Sequence, residues 1–136
     1  MSRIAIVTGG SSGIGLATVN ALRARGCTVY EFSRHGKAGD AYHIDCDVSD
    51  EQQFRAAVDT VMGKEGRIDI LVNNAGFGIS GAAEFTENES AKRLLDVDLF
   101  GVVNGCRAVI PVMRAQGSGR IVNISSVAAP VSIPFQ

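Results

Sequence analysis

This chain predicts an α/β fold built on a parallel sheet. Short, nearly continuous apolar runs suit strands covered on both faces. Helical stripes alternate with those runs, and strand–helix alternation implies parallel strands joined by right-handed crossovers. At 136 residues the chain is at most one domain, and one long enough to bury a core.

The elements follow in order. Ile4, Ala5, Ile6 and Val7 form the first strand, which ends in a Gly/Ser cluster. A helix is expected from about Gly13 to Arg25, with Ile14, Ala17, Ala21 and Leu22 on its inner face and Gly26 stopping it. Residues 28–33 (TVYEFS) and 42–46 (YHIDC) read as the second and third strands. Ser49 and Gln52 have capping-box spacing, and Phe54, Ala57, Val58, Val61 and Met62 form the stripe of the next helix, closed by Gly63 and Gly66. Residues 68–72 (IDILV) are the fourth strand, running into NNAG. From about Glu89 to Met113 a long helix is expected, its apolar face made of Ala91, Leu94, Leu95, Leu99, Val102, Val103 and Cys106. Pro111 is expected to kink its last turn. Residues 120–125 are the fifth strand. No internal repeat, low-complexity tract or linker interrupts this series.

Composition narrows the function. Hydrophobic residues make up 46% and charged residues 20%, as in an ordinary globular protein. A net charge of −1 provides no basic field for nucleic acid or anionic lipid. No apolar run approaches the roughly 18 residues that span a membrane, and MSRIAIVTGG enters a strand without a signal-peptide pattern. Cys27, Cys46 and Cys106 are odd in number and far apart, which points to reduced thiols and a cytoplasmic protein without a metal site.

TGGSSGIG at 8–15 carries the clearest chemistry. It lies between strand and helix, where a nucleotide site belongs on this architecture. Gly9 lets the chain turn, Gly13 admits a pyrophosphate against the backbone, and Gly15 allows the helix to pack on the sheet. The N–H groups of the first turn, at residues such as Ile14, and the positive end of the helix dipole suit phosphates. Ser11 and Ser12 add hydroxyl donors. The bland alternative is a tight strand–helix connection.

TGGSSGIG, CDV at 46–48, NNAG at 73–76 and NISS at the end of the fifth strand, in that order, resemble the short-chain dehydrogenase/reductase family over the whole chain. The resemblance implies a Rossmann-type, doubly wound sheet of order 3-2-1-4-5, here expected to be truncated after the fifth strand. It places Asp47 and Val48 beside adenine, and Asn74, Ala75 and Gly76 along the adenosine ribose. Asn73 is left to tying the sheet together.

The second strand ends in Phe32-Ser33-Arg34, followed by His35 and Lys37, with no carboxylate at the tip. Ser33 and Arg34 suit a 2′-phosphate, so NADP(H) is expected in preference to NAD(H). The alternative is a solvated loop arginine.

Asp98 continues the stripe of the long helix and is expected to point toward the buried side. In the family the matching position is an Asn that serves a water-linked proton relay, so Asp98 is a departure. Gly101 and Gly105 make a flat patch suited to helix packing, and relatives commonly form homo-oligomers along this helix. Ser126 matches the residue that binds the oxygen of a small carbonyl or alcohol substrate. Its partner would be a Tyr about 13 residues on, within Y-x-x-x-K. Neither Tyr30 nor Tyr42 has Lys four residues later. The expected activity is therefore hydride transfer in a whole oxidoreductase, with this chain inactive alone. A non-catalytic nucleotide-binding module is the alternative. No nucleophile elbow accompanies Ser126, which leaves a hydrolase unsupported.

Overall fold

The computed structural model describes residues 2–36 and 39–136. Lys37, named above with Arg34, therefore lies outside the described residues. Five parallel strands form one sheet: β1 (Ile4–Thr8), β2 (Thr28–Ser33), β3 (His43–Asp45), β4 (Ile70–Asn73) and β5 (Arg120–Asn123). Their order is β3-β2-β1-β4-β5, as expected. Helices α1 (Gly13–Ala24), α2 (Glu51–Glu65), α3 (Asn88–Leu95) and α4 (Gly101–Gln116) provide the crossovers, with a short 3₁₀ turn at Ala83–Phe85.

Alternation along the strands divides the core. Val7, Val29 and Val72 face α1 and meet Val19. Ile6, Tyr30, Phe32 and Leu71 face the other way, toward Phe54, Val58 and Val61 of α2 and Val109 of α4. The α2 stripe is therefore the predicted one.

Three local expectations need correction. The inner face of α1 is Gly15 and Val19 with Leu22 beside them, while Ile14 is 69% exposed and Ala17 and Ala21 are exposed too. Hydropathy misjudges this face because Gly15 must sit where a side chain will not fit. The cap of α2 is Asp50, not Ser49: the Asp50 carboxylate accepts from the N–H groups of Gln52 and Gln53. Ser49 is turned away, its hydroxyl donating to Asp47 at 2.6 Å.

The long helix is the third. It is broken in register by a π turn at Asp96–Phe100, where the Gly101 N–H reaches back to the Asp96 carbonyl. Its buried face is Gly101, Asn104, Gly105, Val109 and Met113, whereas Leu95, Leu99 and Phe100 are each about half exposed. Its first inward residues, Gly101, Asn104 and Gly105, are small or polar because the backbone must approach closely. A Cβ on Gly101 would come within 2.8 Å of Val48, and one on Gly105 within 2.5 Å of Asn73 and 3.0 Å of Phe54. The glycine patch thus packs α4 onto α2 and the sheet. Pro111 lies within α4, which continues to Gln116.

Candidate active site

An open cleft of about 1050 Å³ runs along the carboxyl ends of the strands. All the residues singled out in the sequence line it: Gly9, Ser11, Ser12, Gly13, Ile14, Gly15, Ser33, Arg34, Asp47, Val48, Asn74, Ala75, Gly76, Asp98 and Ser126.

The glycine turn forms its centre. Gly9 and Gly13 have φ of 65° and 52°, a left-handed backbone that other residues resist. The Gly9 N–H donates to the Phe32 carbonyl at 2.7 Å, joining the turn to β2. Ser12 caps α1 in extended geometry without a side-chain bond to the helix. The first-turn N–H groups of α1 and the positive helix end therefore remain available to an anion. A Cβ on Gly15 would strike the Gly9 carbonyl oxygen, so α1 can approach the turn only with glycine there.

The turn is also tied to β4. The Thr8 hydroxyl oxygen accepts from the N–H groups of Asn74 and Ala75, both at 2.9 Å. The Asn74 side-chain amide donates to the carbonyl of Thr8 at 3.0 Å and, more weakly, to that of Gly9 at 3.4 Å. Asn74 thus lines the cleft with its amide engaged in holding the turn. Thr8 was not singled out in the sequence. Its signal was a hydroxyl residue at the last position of an otherwise apolar strand. The Asn73 amide donates to Asn123 at 2.9 Å and ties β4 to β5, the structural role foreseen for it.

At one end of the cleft lies the β2 tip. The Ser33 hydroxyl is buried and has no hydrogen-bond partner among the described residues, and Arg34 beside it is exposed. Asp47 faces them across the cleft. Burial opposes ionisation of Asp47, but hydrogen bonds from Ser49 and the charges of Arg93 and Arg34 hold its carboxyl below the usual range. Arg93, on α3, approaches Asp47 at 3.9 Å and was not anticipated. Buried Asn104 donates to the Val48 carbonyl at 3.0 Å and fixes that wall. The Cys46 thiol is pushed up to about 12, chiefly by burial, and stays protonated.

Asp98 and Ser126 lie toward the other end. Asp98 is exposed to the cleft and not turned into the core, a correction to the stripe argument. The π turn directs it to the chain after β4, where its Oδ1 accepts the Phe77 N–H at 3.0 Å. The exposed Ser126 hydroxyl accepts the Ala128 N–H at 3.1 Å and retains its proton for donation.

The profile of the short chain dehydrogenase family matches residues 3–136. This chain belongs to that family. It is 40% identical to a 3-ketodihydrosphingosine reductase from Bacteroides thetaiotaomicron, covering 98% of this chain and 51% of that one. It is 41% identical to a 2-(R)-hydroxypropyl-CoM dehydrogenase from Xanthobacter autotrophicus, covering 98% and 60%. Thermoplasma acidophilum aldohexose dehydrogenase, solved ligand-free, superposes with a TM-score of 0.89 at 38% identity, over 94% of this chain and 51% of that one. ElxO with NADP bound superposes at 0.91 and 26% identity, over 99% and 60%. The chain thus spans about half to three-fifths of the length of these relatives. Members of the family bind a nicotinamide cofactor, and one of these neighbours is solved with NADP bound. Among the described residues no helix is long and apolar enough to cross a membrane, and no cluster could hold a metal ion.

Proposed function

We propose that the whole protein is an NADP(H)-dependent oxidoreductase that interconverts a small carbonyl compound and its alcohol. This chain supplies the nucleotide-binding part and the first substrate-binding hydroxyl. The observation that carries the nucleotide preference is the β2 tip, where a buried, unpartnered Ser33 hydroxyl sits beside the exposed Arg34 guanidinium and no carboxylate intervenes. A hydroxyl donor and a fork of guanidinium donors suit a 2′-phosphate, whereas a ribose 2′-hydroxyl would favour an acceptor there.

The remaining roles follow from the cleft. First-turn N–H groups of α1, with Ser11, Ser12 and Ile14 around them, hold the pyrophosphate. Asp47 and Val48 flank the adenine, and Ala75 and Gly76 give the ribose a smooth wall beside Asn74. The bound nucleotide supplies or accepts hydride. The Ser126 hydroxyl donates a hydrogen bond to the substrate oxygen, which polarises the reacting carbon. Asp98 holds the Gly76–Phe77 backbone at this end of the cleft. Family resemblance assigns the proton donor to a tyrosine of the whole protein; Tyr30, under α2 with its hydroxyl on Glu65, and Tyr42, on the β2–β3 loop, do not line the cleft.

A homo-oligomer formed through the 89–113 helix is part of this reading, supported by the exposed Leu95, Phe100 and Ile110. A cytoplasmic location is supported by the free thiols of Cys27, Cys46 and Cys106.

Fluorescence titration with NADPH and NADH tests the central claim. Arg34→Ala should weaken NADPH binding at least about tenfold and leave NADH within about threefold. Equal losses for both nucleotides, or none, would overturn it.

A further inference from the structure

On the α1 face of the sheet, below the β2 tip, sits a charged trio in which Glu31 is buried, His43 largely so and Asp45 exposed. The His43 ring, 14% exposed, links β3 to β2: Nδ1 meets Glu31 on β2 at 2.5 Å, and Nε2 meets Asp45 on β3 at 2.9 Å. Each nitrogen faces an acceptor, so both carry hydrogen and the ring is an imidazolium. The trio then holds one net negative charge. Loss of the ring proton would leave two and strand a carboxylate that is already short of partners, since Glu31 Oε1 is buried and unpaired among the described residues.

Its position connects it to the nucleotide cleft from two sides. A Cβ on Gly10, in the glycine turn, would come within 2.5 Å of the Glu31 side chain. Gly36, two residues beyond Arg34, lies on the His43 ring so closely that any side chain there would overlap it. Ser33, which lines the cleft and whose hydroxyl is buried without a partner among the described residues, is the register partner of Asp45. Among the described residues, the other charge facing the ring is Asp40 of the β2–β3 loop, itself paired with Arg23 of α1 at 3.4 Å.

We infer that His43 is a positioning and charge-balancing residue for binding of the nucleotide 2′-phosphate: its protonated ring supports the loop that carries Arg34 and offsets Glu31 beneath the phosphate site. The inference rests on the NADP(H) assignment. Proton loss from the ring weakens NADPH relative to NADH, because only NADPH places a further dianion above the trio. Burial alone would lower the ring's affinity for its proton, but Asp45 and Glu31 outweigh it and raise His43 above its ordinary 6.5. The transition therefore falls above that value.

Linkage provides a test without mutation. If the imidazolium favours NADPH, then bound NADPH must favour the imidazolium by the same factor. NMR of the His43 ring in the whole protein should show its midpoint rising by about 0.7 pH for a coupling of about fivefold, and rising less with NADH. His43→Gln should flatten the decline of the NADPH-to-NADH affinity ratio as pH rises through the ring's midpoint above 6.5, while the phosphate's own titration stays common to both proteins. NADPH that binds without moving the His43 midpoint overturns the inference and leaves the nucleotide assignment standing. NADPH that does not bind at all overturns the assignment, and the inference with it.

Discussion

Replacing glycine by alanine in a helix should have opposite effects at two places in this molecule. Intrinsic propensity favours alanine by roughly 1 kcal/mol in either helix. At Gly63, inside α2, a Cβ would meet nothing within 4 Å, so that gain stands. At Gly15 the same atom would strike the Gly9 carbonyl oxygen and come within 2.6 Å of the Asn74 amide nitrogen. The first obstacle is backbone and the second holds the turn through the Thr8 carbonyl, so neither can move freely. Overpacking of this kind costs about 1–3 kcal/mol, and loss of the Asn74 bond about 1 more. Gly15→Ala is therefore expected to be destabilising by about 1–3 kcal/mol after the propensity gain, and Gly63→Ala stabilising by about 0.5–1 kcal/mol. In thermal terms Gly63→Ala raises Tm by roughly 2–4 °C. Urea denaturation followed by far-UV circular dichroism measures both. A Gly15→Ala protein as stable as its parent, or a Gly63→Ala protein less stable, would refute the packing argument.

Other outcomes follow from single contacts. Asn74→Ala should lose about 1–2 kcal/mol by chemical denaturation and weaken nucleotide binding as well, since the same amide holds the glycine turn. Asp98→Asn keeps an acceptor for the Phe77 N–H and should stay within about 0.5 kcal/mol of the parent, while Asp98→Ala should lose about 1 kcal/mol. Asp69 is held below the usual carboxylate range, first by hydrogen bonds from Arg67 and, against some burial, by the Ile4 N–H. Its contribution is complete above the ordinary value of 3.8 and lost as pH falls through the lowered one, so Asp69→Asn should flatten the acid limb of a stability–pH curve.

The sheet was legible because strands buried on both faces are written as apolar runs, and TVYEFS matches β2 residue for residue. The α2 stripe was legible for a related reason: its inward residues are large and apolar. The α1 and α4 faces were not. There the inward positions are Gly15, Gly101, Asn104 and Gly105, chosen for closeness to a turn or strand, and a hydropathy count assigns them to solvent. Conversely Ile14 and Leu99 line the cleft, so their apolar character does not mark the core. Asp98 was misplaced by the same logic, because a π turn and a backbone N–H across the cleft have no signature in periodicity. The candidate residues themselves were found through turn chemistry and family resemblance. Thr8, Arg93 and Asn104 act through other residues and were visible only in three dimensions.

The Thr8 hydroxyl has a consequence for motion. It is almost fully buried, at 2% exposure, and it receives the Asn74 and Ala75 amides from the far side of the sheet's centre. Those two protons reach solvent only after the Thr8 hydroxyl releases them, by rotation of its side chain or by parting of the ends of β1 and β4. Their exchange should be slower than that of the neighbouring amides along the cleft. A nucleotide arriving there meets a cradle that is already rigid, and little ordering of this segment remains to oppose binding.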